Sequence, residues 1–176
     1  MSDAALFDVT STYAQSSACG TYRYTLGRVW EPSRPLLTFV MLNPSIADAQ
    51  DDDPTIRKCR GFAERLGFGG IHVVNLYAYR ATKPSVMWQA RAAGVDIVGP
   101  ENDDILRAAF SRGDAVAAWG ANADKDPLRV QFVCALARAV ACELRALSVT
   151  KSGAPGHPLM LGYSSTVRPW SDRVAV

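Results

Sequence analysis

The sequence predicts an α/β protein: a three-layer α/β/α sandwich with a central four-stranded parallel sheet and an N-terminal hairpin on one edge. Three observations carry that expectation. Four short apolar runs lie near 36–42, 71–75, 115–119 and 145–149, bounded by turn residues. Segments with helical apolar period separate them, and strands alternating with helices mean a parallel sheet covered on both faces. Each run also ends in a loop with distinctive polar or aromatic residues. In a parallel sheet those loops leave from one carboxyl edge, the edge where open α/β sheets bind ligands.

Taken in order, residues 1–18 are small and polar and are expected to be flexible. Tyr22–Trp30 has mixed polarity with Gly27 inside it and reads as an edge hairpin or a bent strand. The connector Glu31-Pro32-Ser33-Arg34-Pro35 leads into the opening strand from Leu36. That strand stops at Asn43-Pro44-Ser45, because Pro44 has no ladder donor and biases Asn43 away from helical angles. An acidic loop with Asp48, Asp51, Asp52 and Asp53 follows. Asp53 suits an N-cap and Pro54 the first helical position of a helix through about Leu66, with Ile56, Phe62, Ala63 and Leu66 as its apolar stripe and Gly67 as its stop. The run Asp51-Asp52-Asp53 reads as a solvated cap that complements the helix dipole in preference to a metal site.

The second strand, Ile71–Leu76, carries Asn75 at its end. Tyr77–Pro84 is an aromatic and basic loop, succeeded by a short helix at 85–92 and another from Pro100 to about Ser111. The third strand ends in Trp119-Gly120-Ala121-Asn122, and a long helix spans about 127–143. The fourth strand, Leu144–Val149, leads to a loop with His157-Pro158-Leu159. With the first and third strands side by side, these loops would close over one crevice.

With 176 residues, 48% of them hydrophobic, the chain fits one domain able to bury a core without staples. A net charge of +2 and the lack of any Lys/Arg block permit a nucleic-acid partner without announcing one. No secretory signal and no apolar run long enough to span a bilayer is visible, so a cytoplasmic protein, monomeric and without a membrane partner, is expected. Cys19, Cys59, Cys134 and Cys142 form no C-x-x-C pair, and neither a metal nor another cofactor is expected. Cys134 and Cys142 are read as small core residues on one helix face.

The residues expected to converge are Asn43, Asn75, Trp119 with Gly120, and His157, flanked by Pro44, Ser45, Pro158 and Leu159. Amides offer a donor and an acceptor on one group and suit the edge of a nucleobase, while aromatics suit its face. No serine elbow, P-loop or G-x-G-x-x-G fingerprint is present.

The ordered set Leu42-Asn43-Pro44-Ser45, Val74-Asn75-Leu76, Trp119-Gly120-Ala121-Asn122-Ala123 and Gly156-His157-Pro158-Leu159 resembles a bacterial domain family of unknown function with these signatures. More distantly it resembles the uracil-DNA glycosylase superfamily, nearest its mismatch-specific thymine/uracil branch, whose first loop reads Ile-Asn-Pro. The superfamily resemblance implies a DNA glycosylase that hydrolyses the N-glycosidic bond of a damaged, mismatched or modified base. His157 would donate to the departing base, Asn43 would hold the attacking water, Asn75 would read the base edge, and Tyr77 or Tyr79 would stack on it. The chain departs from that pattern in its late loop, His157-Pro158-Leu159-Met160, and in lacking the cysteine pairs of the iron–sulfur branches. The rival readings are a non-catalytic domain that binds a nucleotide or modified base, and an enzyme on free nucleotides.

Overall fold

The computed structural model describes residues 11–45, 47 and 50–172; Asp48 lies outside them. Seven strands form one sheet in the order β1-β2-β4-β3-β5-β6-β7. They are β1 Ser11–Ser16, β2 Arg23–Val29, β3 Leu36–Met41, β4 Gly70–Asn75, β5 Ala115–Ala117, β6 Leu144–Ala146 and β7 Arg168–Pro169. Strands β4, β3, β5 and β6 run parallel, whereas β1, β2 and β7 are antiparallel additions. The helices are α1 Pro54–Arg65, α2 Pro84–Ala92, α3 Asn102–Phe110 and α4 Pro127–Ala139. The protein is thus mixed α/β, with a seven-stranded sheet that extends the expected parallel strands and edge hairpin by β7 on the opposite border.

Side chains alternate across a strand, so a strand buried on both faces feeds two cores. Leu37, Phe39 and Met41 of β3 join Ile71 and Val73 of β4 against Ile56, Cys59, Phe62 and Ala63 of α1. Val40 and Val74 instead face Met87 of α2, Leu106 and Phe110 of α3, and Val133 and Leu136 of α4. One helix therefore covers one face and three cover the other.

Several boundaries differ from expectation, each for a local reason. Residues 11–16, expected to be flexible, are held by β2 through a ladder from Ser11 opposite Val29 to Ser16 opposite Arg23. An N-terminal hairpin does sit on one edge, but β1 and β2 form it, so Tyr22–Trp30 supplies its inner strand and β2 lies between β1 and β4. Helix α4 stops at Ala139, because the chain turns at Ala141 with a positive φ of 56°. Cys142 is therefore off the helix, although it packs in the same core cluster as Cys134. Leu66, assigned to the α1 stripe, is exposed just past the helix end. Within the tail, Arg168–Pro169 adds β7 to β6.

The acidic run is only partly a solvated cap. Asp53 does cap α1, accepting from the Ile56 N–H at 2.9 Å. Asp52 instead takes Nε of the buried Arg28 at 2.7 Å. The same guanidinium also donates through Nη1 to the Gly27 carbonyl at 2.9 Å, so Asp52 is one of several groups that hold it. No described helix is long and apolar enough to cross a membrane.

One buried titratable group predicts a pH dependence. His72 of β4 is hydrogen-bonded through Nδ1 to Tyr13 Oη at 2.7 Å, and burial, reinforced by the charge of Arg112, lowers its pKa to about 4. The unfolded chain takes up that proton near 6.5 and the folded chain only near 4. Stability should therefore be constant above pH 6.5 and fall by about 3 kcal/mol as the pH drops to 4. Urea unfolding across that window should show the loss, and His72→Gln should remove the His72 share of it.

Candidate functional site

The site is built where β3 and β4 end side by side, with Met41 paired to Asn75. Beyond that pair, Leu76 N–H donates to the Met41 carbonyl and Tyr77 N–H to the Leu42 carbonyl, so the two chains leave the sheet still joined. Burial leaves no water for the carbonyls at this end, and two side chains from the three-helix face satisfy them. Asn102 Nδ2, fully buried at the start of α3, donates to the Asn75 and Leu76 carbonyls at 3.1 Å each. Arg129 Nε of α4 donates to the Leu76 carbonyl at 2.9 Å, and its Nη2 pairs with Asp103 at 2.7 Å. Sequence reasoning missed both residues, since each sits in a helix that reads as ordinary cover.

Asn43 is oriented by its own amide. Nδ2 donates to the Pro44 carbonyl at 3.0 Å and to the Ala81 carbonyl at 2.8 Å. Two carbonyl partners identify the nitrogen, so Oδ1 is the atom directed elsewhere.

His157 arrives from the far side of the sheet. After β6 the chain makes a narrow hairpin, with Thr150 N–H on the Ala154 carbonyl and Gly156 N–H on the Ser148 carbonyl at 2.8 Å each. The approach at Gly156 is close: a Cβ there would lie 1.9 Å from Ser148 Oγ, so that hydroxyl would have to turn away to admit one. Gly120, at φ 72°, bends the end of β5 up to the same loop, and a Cβ on it would stand 3.4 Å from the His157 Cβ. His157 Nδ1 accepts from the Leu159 N–H at 3.3 Å, capping the short 3-10 turn Pro158–Met160. The proton of the neutral ring is then on Nε2. Burial lowers the His157 pKa and the nearby Asp53 carboxylate opposes that shift, so the ring is neutral at pH 7.

The turn is held to α1 by Tyr163. Its ring lies against Phe62 and Gly61, with Lys58 Nζ 4.2 Å and the Arg65 guanidinium carbon 3.9 Å from the ring centroid. Lys58 also donates to the Leu161 carbonyl at 2.6 Å.

Asn43, Asn75 and His157 line one cavity of about 220 Å³ on the α1 face, together with Ser45, Leu159, Asp53 and Arg23. That volume falls below the range of drug-sized ligand pockets and suits a smaller ligand. Asn75 is only 2% exposed, and among the described residues its side-chain amide has no hydrogen-bond partner. Arg23, 3% exposed, enters from β2 with Nη1 on the Ala47 carbonyl. Sequence reasoning missed it because its strand read as a peripheral hairpin.

The other expected residues are elsewhere. Trp119 follows Ala115 and Ala117 onto the three-helix face, where it packs edge-on against Trp170 at 5.2 Å and lines a separate cavity of about 520 Å³. Tyr77 is buried on that same face, with Oη donating to Asp126 at 2.8 Å and its ring against Trp88. Tyr79 bridges to Tyr22. Gly120 touches the site through His157, and Pro158 is buried behind it. Pro44 contributes its carbonyl to Asn43.

Fold and site together define a mixed α/β domain with an amide-, imidazole- and guanidinium-lined cavity at the carboxyl ends of its parallel strands. Residues 23–159 match the model of a family described as Protein of unknown function (DUF1643), and the chain belongs to that family. No curated protein and no solved structure matches the chain.

Two substitutions test this geometry. Gly156→Ala should destabilise the fold by about 1–3 kcal/mol through overpacking against Ser148, and Ser148→Ala should restore much of that loss in the double variant, read by urea unfolding. Asn43→Asp should also destabilise, by about 2 kcal/mol at pH 7, because a carboxylate would face the Pro44 and Ala81 carbonyl oxygens. Its penalty should shrink as the pH falls and the acid regains a proton to donate.

Proposed function

We propose that this protein is a DNA glycosylase-like enzyme of the kind the uracil-DNA glycosylase superfamily represents, acting on a damaged, mismatched or modified base. The observation that carries this reading is the convergence of Asn43, Asn75 and a neutral His157 with its proton on Nε2 in one small cavity. The parallel order β4-β3-β5-β6 supports the same reading, because it seats β3, which leads to Asn43, between β4, which ends in Asn75, and β5, whose following Gly120 approaches His157.

Breaking an N-glycosidic bond puts negative charge on the departing base and positive charge on the sugar. A fixed donor to the base lowers that barrier directly, and one such donor is typically worth about 3–4 kcal/mol. His157 supplies it through Nε2–H. Asn43 holds the attacking water on Oδ1. As an amide it cannot take the proton, so the chemistry is slower than with a carboxylate at that place. Asn75 hydrogen-bonds the base edge. Extruding a base from a duplex costs a few kcal/mol and least at a mismatch or lesion, which favours such substrates. Thr82 and Pro84 line the cavity, and the exposed Lys83 between them, with Arg80 nearby, supplies phosphate contacts at the mouth.

A second reading, a non-catalytic nucleotide or modified-base binder, draws on one observation: the Asn43 amide is committed to two carbonyls and has no basic group. A mass-spectrometric screen for bases released from damaged, mismatched and modified DNA separates the two. Wild type should release a base and leave an alkali-labile site. His157→Ala should slow release by about two to three decades, and Asn43→Ala should also slow it. Both variants should still bind DNA, because phosphate contacts supply most of the affinity. Absence of release from every substrate, with saturable binding of a free nucleotide, would favour the binder.

A further inference from the structure

We infer that a second cavity, on the three-helix face and apart from the site of Asn43 and His157, binds a small organic carboxylate with a short apolar body. Strand register builds its floor. Residues directly opposite one another on antiparallel strands share a face, as do residues two apart on one strand. Tyr13 stands opposite Gly27 and Gly27 opposite His72, while Thr25 lies two residues before Gly27. Tyr13, Thr25 and His72 therefore share the face of Val74, the one that α2, α3 and α4 cover. Gly27 keeps the way open between them, because a Cβ there would occupy the space of the Tyr13 ring. The roof is Ile105, Ala108 and Ala109 of α3 with Arg112 just beyond its end, the spacing of one helix face. Two alanines on that face leave room, and floor and roof border a cavity of about 300 Å³. That volume is at the lower end of small-molecule sites.

The polar groups around this space are donors in need of an acceptor. Tyr13 Oη lies 2.7 Å from His72 Nδ1 and has no other acceptor among the described residues. It therefore donates to Nδ1, and the imidazole proton sits on Nε2. Side chains stand roughly perpendicular to a sheet, and Nε2 is at the far end of the ring, so it rises toward the roof. His72 is 4% and Thr25 6% exposed, yet neither Nε2 nor the Thr25 hydroxyl has a partner among the described residues. Arg112 is hydrogen-bonded to the Tyr13 hydroxyl and has no carboxylate partner among the described residues. The last α3 carbonyls, which would repel an anion, accept from the N–H groups of Ser111, Arg112 and Gly113. A carboxylate answers this set, with one oxygen for the guanidinium and the other for Nε2–H and the hydroxyl. Phosphate or sulfate would press further charged oxygens against Ile105 and the alanines, where no donor meets them. A short alkyl body fits there instead.

The chain has two histidines, one in each cavity, so their ring NMR signals report which cavity a ligand enters. Butyrate titrated into the wild-type chain at pH 7 should shift the His72 signals and leave those of His157 in place. Butyramide, of the same shape without the charge, should bind about tenfold or more weaker, and so should inorganic phosphate. Arg112 is exposed and lies outside the first cavity, so Arg112→Gln removes the cation without opening the core. In that variant butyrate should bind within about threefold of butyramide. His72 signals that butyrate leaves unmoved, or a shift at His157 in their place, overturn the assignment. So does equal binding of butyramide or phosphate by the wild type, or undiminished binding of butyrate by Arg112→Gln.

Discussion

Two parallel strands, β3 and β4, are buried on both faces, and that burial is the constraint on which the rest of the structure depends. A strand in that position cannot let its last carbonyls reach water, so something must meet them where the ladder stops. Asn102 and Arg129 do so from one face, and the amide of Asn43 does the same for the Pro44 and Ala81 carbonyls. The cavity opens at these same strand ends on the α1 face, and its chemistry comes from the side chains that line it, Asn43, Asn75, Asp53 and His157 among them.

Those side chains divide by strand parity. Met41 and Asn75 stand on the α1 face, and the β3–β5 register of Phe39 with Val116 sends Ala115 and Ala117 to the other face, with Trp119 after them. Asn43, Asn75 and His157 were legible in the sequence because each sits at or just beyond a strand end, where a turn residue announces the position. The separation of Trp119 was not legible, since it depends on register between strands that lie far apart in sequence. Tyr77 was lost to a different cause: β4 ends at Asn75, alternation lapses, and both Leu76 and Tyr77 turn into the three-helix core.

The layout of α and β elements was readable from alternating periods, but the width of the sheet was not. Ser11–Ser16 is polar and carries no apolar period, so only its partner β2 makes it a strand. The same omission hid Arg23. A residue in an edge hairpin reads as solvated, whereas in an interior strand it becomes a buried cation beneath the site. Arg28, five residues further along, is the structural counterpart: it pairs with Asp52, whereas Arg23, with Nη1 on the Ala47 carbonyl, borders the cavity.

The two-residue strand β7 has a consequence for how these molecules meet one another. It covers the β6 border of the sheet and ends in Pro169, which has no N–H to give to an incoming strand. An open border of paired backbone is a template for aggregation, and a very short final strand with proline blunts it. Sheet-to-sheet recruitment through this border is therefore suppressed by backbone chemistry, without any charge block along it.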